Sequence, residues 1–145
     1  MYNVNSVRLS FCGDIDMLDL VQIVGDRLGR QAGLDDEALH WISVAVHESV
    51  TNAIQHGNCG DTSKCVHVTL TCLGADSGLA ITVRDEGCGF DPDGLPNPLA
   101  PENLLKPSGR GIFLIRSFMD ELEVRRAQEG GMELVMVKRP KPVLS

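Results

Sequence analysis

Two pairs of β-rich segments constrain the fold of this chain more than any other feature of its sequence. Residues 66–73 and 79–85 are separated by a short turn that begins and ends with glycine, and residues 122–126 and 132–138 by a segment that contains Glu-Gly-Gly at 129–131. β-Branched residues favour strands, and glycine suits the tight turns that join antiparallel neighbours. The sequence therefore predicts two hairpins.

A strand and a helix are predicted ahead of the first hairpin. Residues 4–11 alternate apolar and polar side chains, which indicates a strand with one buried face. Apolar residues then recur at helical spacing over 15–30, after a possible cap at Asp14 and before a possible stop at Gly33. This pattern predicts a first amphipathic helix.

A second helix is predicted from a cap at Asp35 or Asp36 to about His56, with Gly57 at its end. Its apolar residues form one arc, which should pack on a sheet. The arc consists of Leu39, Ile42, Ala45, Val46, Ser49, Val50 and Ala53.

Residues 87–109 are rich in glycine and proline, which predicts a long loop between the two hairpins. Residues 111–119 are apolar at helical spacing and predict a third helix, and the tail 139–145 is expected to fray. Grouped helices with mostly antiparallel strands indicate an α+β fold. We expect a two-layer α/β sandwich with a mixed, mostly antiparallel sheet and helices on one face.

Length and charge narrow the classes of function. The 145 residues suit a single domain, 1–145, and the net charge of −7 argues against a nucleic-acid partner, because that binding requires clustered Lys and Arg. No stretch approaches the roughly 20 apolar residues of a membrane span, and the N-terminus lacks the pattern of a signal peptide. We expect a cytoplasmic protein with no membrane partner.

The chain has five cysteines, an odd number, and no Cys-x-x-Cys pair. This pattern argues against a disulfide framework, so we expect reduced thiols. His56, Cys59, Cys65 and His67 lie close enough in sequence to suggest zinc. Their spacing matches no common zinc pattern, and buried cysteine often serves as a small apolar residue.

The first motif with chemical potential lies on the second predicted helix. Glu48, Asn52 and His56 are spaced four residues apart and so line one stripe beside the apolar arc. A carboxylate there can accept a proton from a hydroxyl, and an Asn carbonyl is a suitable ligand for Mg²⁺. A solvated polar face is the alternative interpretation.

The second motif, Asp-Glu-Gly-Cys-Gly-Phe-Asp-Pro at 85–92, follows an apolar strand. Asp85 can accept a hydrogen bond from an exocyclic amino group such as that of adenine, and Gly87 and Gly89 allow the backbone to approach a ligand closely. An ordinary turn at the end of a strand would also explain these residues.

The third motif, Ser-Gly-Arg-Gly at 108–111, precedes the third predicted helix, whose N-terminus could bind phosphate oxygens. Arg110 and Lys106 are nearby cations, although a helix-entry turn explains Gly109 and Gly111 equally well. Neither a P-loop nor a Rossmann glycine pattern is present.

In this order, the three motifs resemble the ATP-binding fold of the GHKL superfamily, the Bergerat fold of gyrase-type, histidine-kinase and MutL-type ATPases. That fold has an N box on a helix, a first glycine box, and a second glycine box after a lid. Within the superfamily the chain is similar to the small serine-kinase anti-sigma factors. The likeness spans about residues 4–137 and includes Gly-Ile-Phe-Leu-Ile-Arg-Ser-Phe-Met-Asp-Glu-Leu-Glu-Val at 111–124.

The resemblance implies Glu48 as the general base, Asn52 as the Mg²⁺ ligand and Asp85 as the residue that binds adenine. A lid of about 89–109 is implied, and so are further nucleotide contacts: His56, Gly87, Gly89, Lys106, Gly109, Arg110, Gly111 and Leu114. Members of the family commonly have Thr after the glycine of the last strand, where this chain has Met132.

By resemblance, the expected function is an ATP- and Mg²⁺-dependent serine/threonine kinase that acts as an anti-sigma factor. It would phosphorylate an anti-anti-sigma protein of the STAS type, sequester a sigma factor and form a homodimer. Two alternatives stay open, a nucleotide-binding sequestration module without kinase activity and a partner-switching kinase whose output is not a sigma factor. Glu48 argues against the first, because a module that only binds has no use for a base.

Overall fold

The fold is built on a five-stranded sheet, seen here in a computed structural model that describes residues 5–13, 15–87 and 114–142. The strands are β1 (Ser6–Cys12), β2 (Cys65–Cys72), β3 (Leu79–Arg84), β4 (Glu121–Arg126) and β5 (Met132–Lys138). Their order across the sheet is β1-β2-β3-β5-β4, and each neighbouring pair is antiparallel. Both predicted hairpins and the opening strand are confirmed.

Three helices accompany the sheet in the described part of the chain. A 3-10 turn (Ile15–Met17) leads into α1 (Leu18–Gln31), α2 is Asp36–Asn52, and α3 is residues 114–118. Asp14, the predicted cap of the first helix, and residues 111–113 of the predicted third helix lie outside the described residues.

The boundary between α1 and α2 follows from its glycine and its aspartate. Gly33 has a φ of +87°, and the Leu34 N–H donates to the Gly29 carbonyl at 3.0 Å, the closing bond of a left-handed helix end. Asp35 then caps α2, because its Oδ1 accepts from the Ala38 N–H at 2.8 Å. The predicted stop and cap are confirmed.

The core lies between the helices and one face of the sheet. In β2, alternate residues starting at Val66 are buried while the intervening ones are partly exposed. The buried face of α2 contains most of the predicted apolar arc, including Ile42, Val46 and Val50. The α+β sandwich with helices on one face is therefore confirmed, although the described strands form a wholly antiparallel sheet where a mixed, mostly antiparallel one was expected.

An aromatic pair joins α2 to α3. The rings of Trp41 and Phe118 are stacked, with centroids 3.7 Å apart and planes 8° from parallel. This contact holds α3 beside α2. In sequence, α3 follows the predicted lid.

The end of the second helix differs from its prediction. The α-helix ends at Asn52, and residues Ala53–Gly57 form a π turn that the Asn58 N–H closes by donating to the Ala53 carbonyl at 2.8 Å. The wider turn rotates His56 away from the regular four-residue stripe, and His56 is exposed. Apolar periodicity does not reveal one inserted residue, so the sequence could not predict it.

The prediction of reduced thiols is wrong for one pair of cysteines. Cys12 and Cys65 are directly opposite in the register of β1 and β2, and their sulfurs form a disulfide. They are 53 residues apart in sequence, so only the strand pairing brings them together. Cys59 and Cys72 are free.

The segment after β5, which was expected to fray, makes contacts where it is described. The Arg139 N–H donates to Asp120 Oδ2 at 2.7 Å, and Lys141 Nζ pairs with Glu37 Oε2 at 3.0 Å. Such exposed pairs stabilise a fold only weakly.

None of the helices in the described ranges has the length and apolar character needed to cross a lipid bilayer.

Candidate functional site

Asp85 is a buried carboxylate at the tip of β3, with only 5% of its surface exposed. Its Oδ1 accepts two backbone hydrogen bonds, from Gly87 at 2.9 Å and from Met132 at 3.0 Å. These bonds fix the orientation of the side chain, because both donors are backbone groups: Met132 belongs to β5, and Gly87 to the turn after β3. Among the described residues no donor occupies the second oxygen, Oδ2. Asp85 is thus a pre-oriented acceptor.

The end of the second helix lies directly against this carboxylate. A Cβ added at Gly57 would overlap Asp85 Oδ2, and one added at Gly87 would overlap the Gly57 carbonyl. Gly131 is as close, since its added Cβ would overlap the Asp85 carbonyl. Glycine is therefore required at all three positions by close approach, and the N-box helix and the first glycine box meet at Asp85.

Glu48 and Asn52 lie one turn apart on α2, on the same side of the helix, and both are half-buried. The Asn52 Nδ2 and the Thr51 Oγ1 are buried without a hydrogen-bond partner among the described residues. Buried polar groups are nearly always paired, because an unpaired one costs about 1–3 kcal/mol. The unpaired amide of Asn52 is therefore consistent with a ligand-binding position.

The remaining predicted site residues are distributed as follows. His56 lies in the π turn between Asn52 and Gly57, and Leu114 is 41% exposed at the start of α3. The other predicted nucleotide contacts lie outside the described residues, so their roles stay predictions. They are Gly89, Lys106, Gly109, Arg110 and Gly111.

Hydrogen bonds join Asn58, Glu86 and Cys65 in a network that we call the lock. The sequence did not predict it. Asn58 is 2% exposed; its Oδ1 accepts from the Glu86 N–H at 2.8 Å, and its Nδ2 donates to the Cys65 carbonyl at 3.1 Å. Glu86 closes the loop, because its Oε1 accepts from the Cys65 N–H at 2.8 Å. An asparagine just after a helix end was the only signal in the sequence, and it is shared by many ordinary turns.

The second oxygen of Glu86 extends this lock to the open face of the sheet. Glu86 Oε2 lies 2.9 Å from His67 Nε2, and His67 Nδ1 lies 2.7 Å from Ser10 Oγ. The hydrogen bond with His67, followed by that from the Cys65 N–H, lowers the pKa of Glu86 below its usual value. Glu86 is therefore held as a carboxylate that ties β2 to the turn after β3.

This arrangement can perform two kinds of chemistry. Asp85 can accept an N–H from a ligand through Oδ2, and Glu48 can accept a proton on the neighbouring helix face. Of the described residues, Asn52 could hold a cation, and Gly87 could allow phosphate groups to approach the backbone.

Comparison with known proteins places this chain in a family. The profile of the histidine kinase-like ATPase domain matches residues 15–138. An anti-sigma F factor of Oceanobacillus iheyensis is 39% identical over 107 residues, which are 71% of this chain and 70% of that protein. An anti-sigma F factor of Clostridium perfringens is 32% identical over 139 residues, with 93% and 96% covered.

Two further similarities concern kinases and the fold. The serine-protein kinase RsbW of Staphylococcus epidermidis is 29% identical over 143 residues, which are 91% of this chain and 85% of that protein. A crystal structure of the RsbU and RsbW domains of Rv1364c from Mycobacterium tuberculosis matches with a TM-score of 0.61 at 18% identity. It covers 97% of this chain, which spans 34% of that longer chain, and it supports the fold alone. The chain belongs to the histidine kinase-like ATPase family, in the branch that contains the anti-sigma F factors and the serine-protein kinase RsbW.

Proposed function

We propose that this protein is an ATP- and Mg²⁺-dependent serine/threonine kinase that phosphorylates an anti-anti-sigma regulator of the STAS type and sequesters a sigma factor. The observation that carries the proposal is the close contact between Gly57, at the end of the N-box helix, and the Asp85 carboxylate. The names of the relatives, anti-sigma F factor and serine-protein kinase, support the same function.

Asp85 binds the adenine ring in this proposal. Its Oδ1 is already engaged by Gly87 and Met132, so Oδ2 is the oxygen left to accept the exocyclic amino group of adenine. A charge-assisted bond of this kind is stronger than one between neutral groups, and it favours adenine over a base with a carbonyl at that position.

Asn52 would hold the Mg²⁺ ion. The buried Nδ2 of its amide has no hydrogen-bond partner among the described residues. A half-turn of the amide exchanges its nitrogen and oxygen, so the side chain can present its oxygen to the ion. When bound, Mg²⁺ neutralises charge on the phosphates of ATP.

Glu48 acts as the general base. It takes the proton of the acceptor hydroxyl while the hydroxyl oxygen forms a bond to the γ-phosphorus. The bond from that phosphorus to the bridging oxygen breaks, and ADP leaves. The position of Glu48, one helical turn before Asn52, supports this role because both side chains face the same side of α2.

The proposed phosphate contacts are supported by the sequence motifs alone. We propose that Gly87, Gly89, Gly109 and Gly111 allow close approach of the phosphates, that Lys106 or Arg110 contacts the terminal phosphate, and that residues 89–109 close over it. His56 and Leu114 complete the nucleotide pocket.

The assembly and location of the protein are part of the same proposal. We propose a single domain that forms a homodimer in the cytoplasm. An exposed apolar stripe on and before α1, formed by Met17, Leu20 and Ile23, supports binding to another protein surface. Light scattering after size exclusion would give about twice the 15.7 kDa of one chain for the dimer.

Phosphotransfer to a co-encoded regulator tests the kinase function. The protein is mixed with Mg-ATP and the regulator, and intact mass spectrometry follows the regulator. We expect the added mass of one phosphate on a serine or threonine. An unmodified regulator that nevertheless forms a complex with the ATP-bound protein would contradict kinase activity and favour the sequestration module.

A further inference from the structure

The Cys12–Cys65 pair is the last pair of the β1–β2 ladder. The backbone N–H and C=O of Cys65 are directed to Glu86 and Asn58, at 2.8 and 3.1 Å, and not to Cys12. The two cysteines are therefore a non-hydrogen-bonded pair, the kind in which opposite side chains approach each other most closely. The disulfide adds a covalent link at this end of the ladder, beside the paired residues Phe11 and Val66.

This pair is accessible to thiol chemistry. Cys12 is exposed and Cys65 is half-buried, and among the described strands β1 lies at an edge of the sheet, next to β2. Exposed disulfides are generally the labile ones, whereas buried disulfides serve as permanent links. Cys72, by contrast, is a buried free thiol.

Cys65 is connected to both walls of the candidate nucleotide site. Its carbonyl accepts from Asn58, which directly follows Gly57, and its N–H donates to Glu86, which directly follows Asp85. The Glu86 N–H in turn donates to Asn58 Oδ1 at 2.8 Å. The lock of Asn58, Glu86 and Cys65 thus holds Gly57 against Asp85, and the disulfide anchors its third member.

We propose that Cys12 and Cys65 are a reversible thiol–disulfide site that sets nucleotide affinity, with the oxidised form binding more tightly. The proposal rests on the proposed ATP site. A low-molecular-weight disulfide oxidises the pair: a thiolate attacks it and releases one small thiol, and the second cysteine then displaces the other. One intramolecular S–S bond forms and the reagent is reduced to two thiols.

The direction of the effect follows from the backbone contacts. Reduction removes the covalent link between the end of β1 and the start of β2. The hydrogen bonds that Cys65 accepts from Asn58 and donates to Glu86 then become less well held. One net hydrogen bond corresponds to roughly a three- to tenfold change in an equilibrium constant. We expect the dissociation constant for Mg-ATP to rise by about that factor on reduction.

The test compares the two redox states of the full chain. The protein is treated with oxidised glutathione or with a phosphine reductant, its state is confirmed by peptide mapping and intact mass, and Mg-ATP is titrated calorimetrically. The double variant Cys12→Ser, Cys65→Ser should show the weaker affinity under both conditions. Cys59→Ser, which removes an exposed free thiol, should respond as the parent does.

The outcomes separate this proposal from the one on which it rests. Equal affinity of the oxidised and reduced parent overturns the redox site alone, as does a map that shows no Cys12–Cys65 link after oxidation. Absence of binding in both states overturns the ATP site as well. Since the parent is compared with itself, the result does not depend on the folding of the variant.

Discussion

Met132 and Asp85 are joined by a reciprocal pair of hydrogen bonds: the Met132 N–H donates to Asp85 Oδ1 and the Asp85 N–H donates to the Met132 carbonyl, both at 3.0 Å. The backbone of β5 thereby orients the carboxylate at the tip of β3. The resemblance to the serine-kinase anti-sigma factors implies a threonine hydroxyl at this position, and here the backbone N–H of Met132 supports the carboxylate without it.

Replacement of Asp85 by Asn should weaken ATP binding. The substitution keeps an oxygen for Gly87 and Met132 but places an NH2 group, which donates and cannot accept, where Oδ2 would receive the adenine amine. Loss of a charge-assisted bond predicts roughly a ten- to hundredfold increase in the dissociation constant, measured by calorimetric titration. Asp76→Asn is a matched control in an exposed turn, where Asn tolerates the φ of +63°. Unchanged affinity in Asp85→Asn would refute the assignment.

Replacement of Glu48 by Gln should abolish phosphotransfer while ATP binding persists. Gln has nearly the same shape but cannot take the hydroxyl proton, and a positioned base contributes about 10²- to 10⁴-fold to the rate. Single-turnover phosphorylation of the regulator and an ATP titration separate the two effects. Glu37→Gln, on the first turn of the same helix, is the control. Parent-like phosphotransfer by Glu48→Gln would remove Glu48 from the mechanism.

Replacement of Gly57 by Ala should disrupt the site. The new methyl group would overlap the Asp85 carboxylate, and overpacking of this kind costs about 1–3 kcal/mol and displaces the acceptor. We expect a lower melting temperature and weaker ATP binding.

Gly25→Ala is the matched control for this substitution. It lies inside α1, where the added Cβ would make an ordinary 3.4 Å contact with Leu70 Cδ2, so stability should stay the same or rise by up to about 1 kcal/mol. If the two variants behave alike, the tight contact at Gly57 is not important for the site.

Acid should weaken the lock through Glu86. Because its pKa is lowered in the folded protein, ionised Glu86 stabilises the fold at pH values above the unfolded-chain pKa of about 4.3. That contribution is lost as the pH falls through the lower folded value. Denaturant unfolding between about pH 6 and pH 3 should therefore depend less on pH in Glu86→Gln than in the parent. The exposed Glu123→Gln should follow the parent, and an equal pH dependence of all three would contradict the role of Glu86.

Local pattern was enough to predict most of the fold. The alternation in β1, the glycine turns of both hairpins and the Asp35 cap each act within a few residues, so the sequence shows them directly. The π turn at 53–57 and the Cys12–Cys65 disulfide were missed, because the first is one inserted residue and the second depends on strand register.

The residues of the candidate site could be named from the motifs and their roles stay predictions, whereas the contacts among them could not be predicted. Glu48, Asn52 and Asp85 could be named because their residue types and spacing suit nucleotide chemistry. The lock of Asn58, Glu86 and Cys65 could not, since it joins three segments that are distant in sequence. The hydrogen bond from the Met132 N–H to Asp85 could not be predicted either, because a backbone group makes it and the type of side chain at 132 gives no sign of it.

The preference for adenine tests the central claim most directly. Mg-ATP and Mg-GTP are titrated in parallel into the parent protein, because the Asp85 carboxylate can accept the amino group of adenine but would repel the carbonyl oxygen of guanine. We predict saturable binding of ATP and at least roughly tenfold weaker binding of GTP. Equal affinities, or no binding of either nucleotide, would contradict the account.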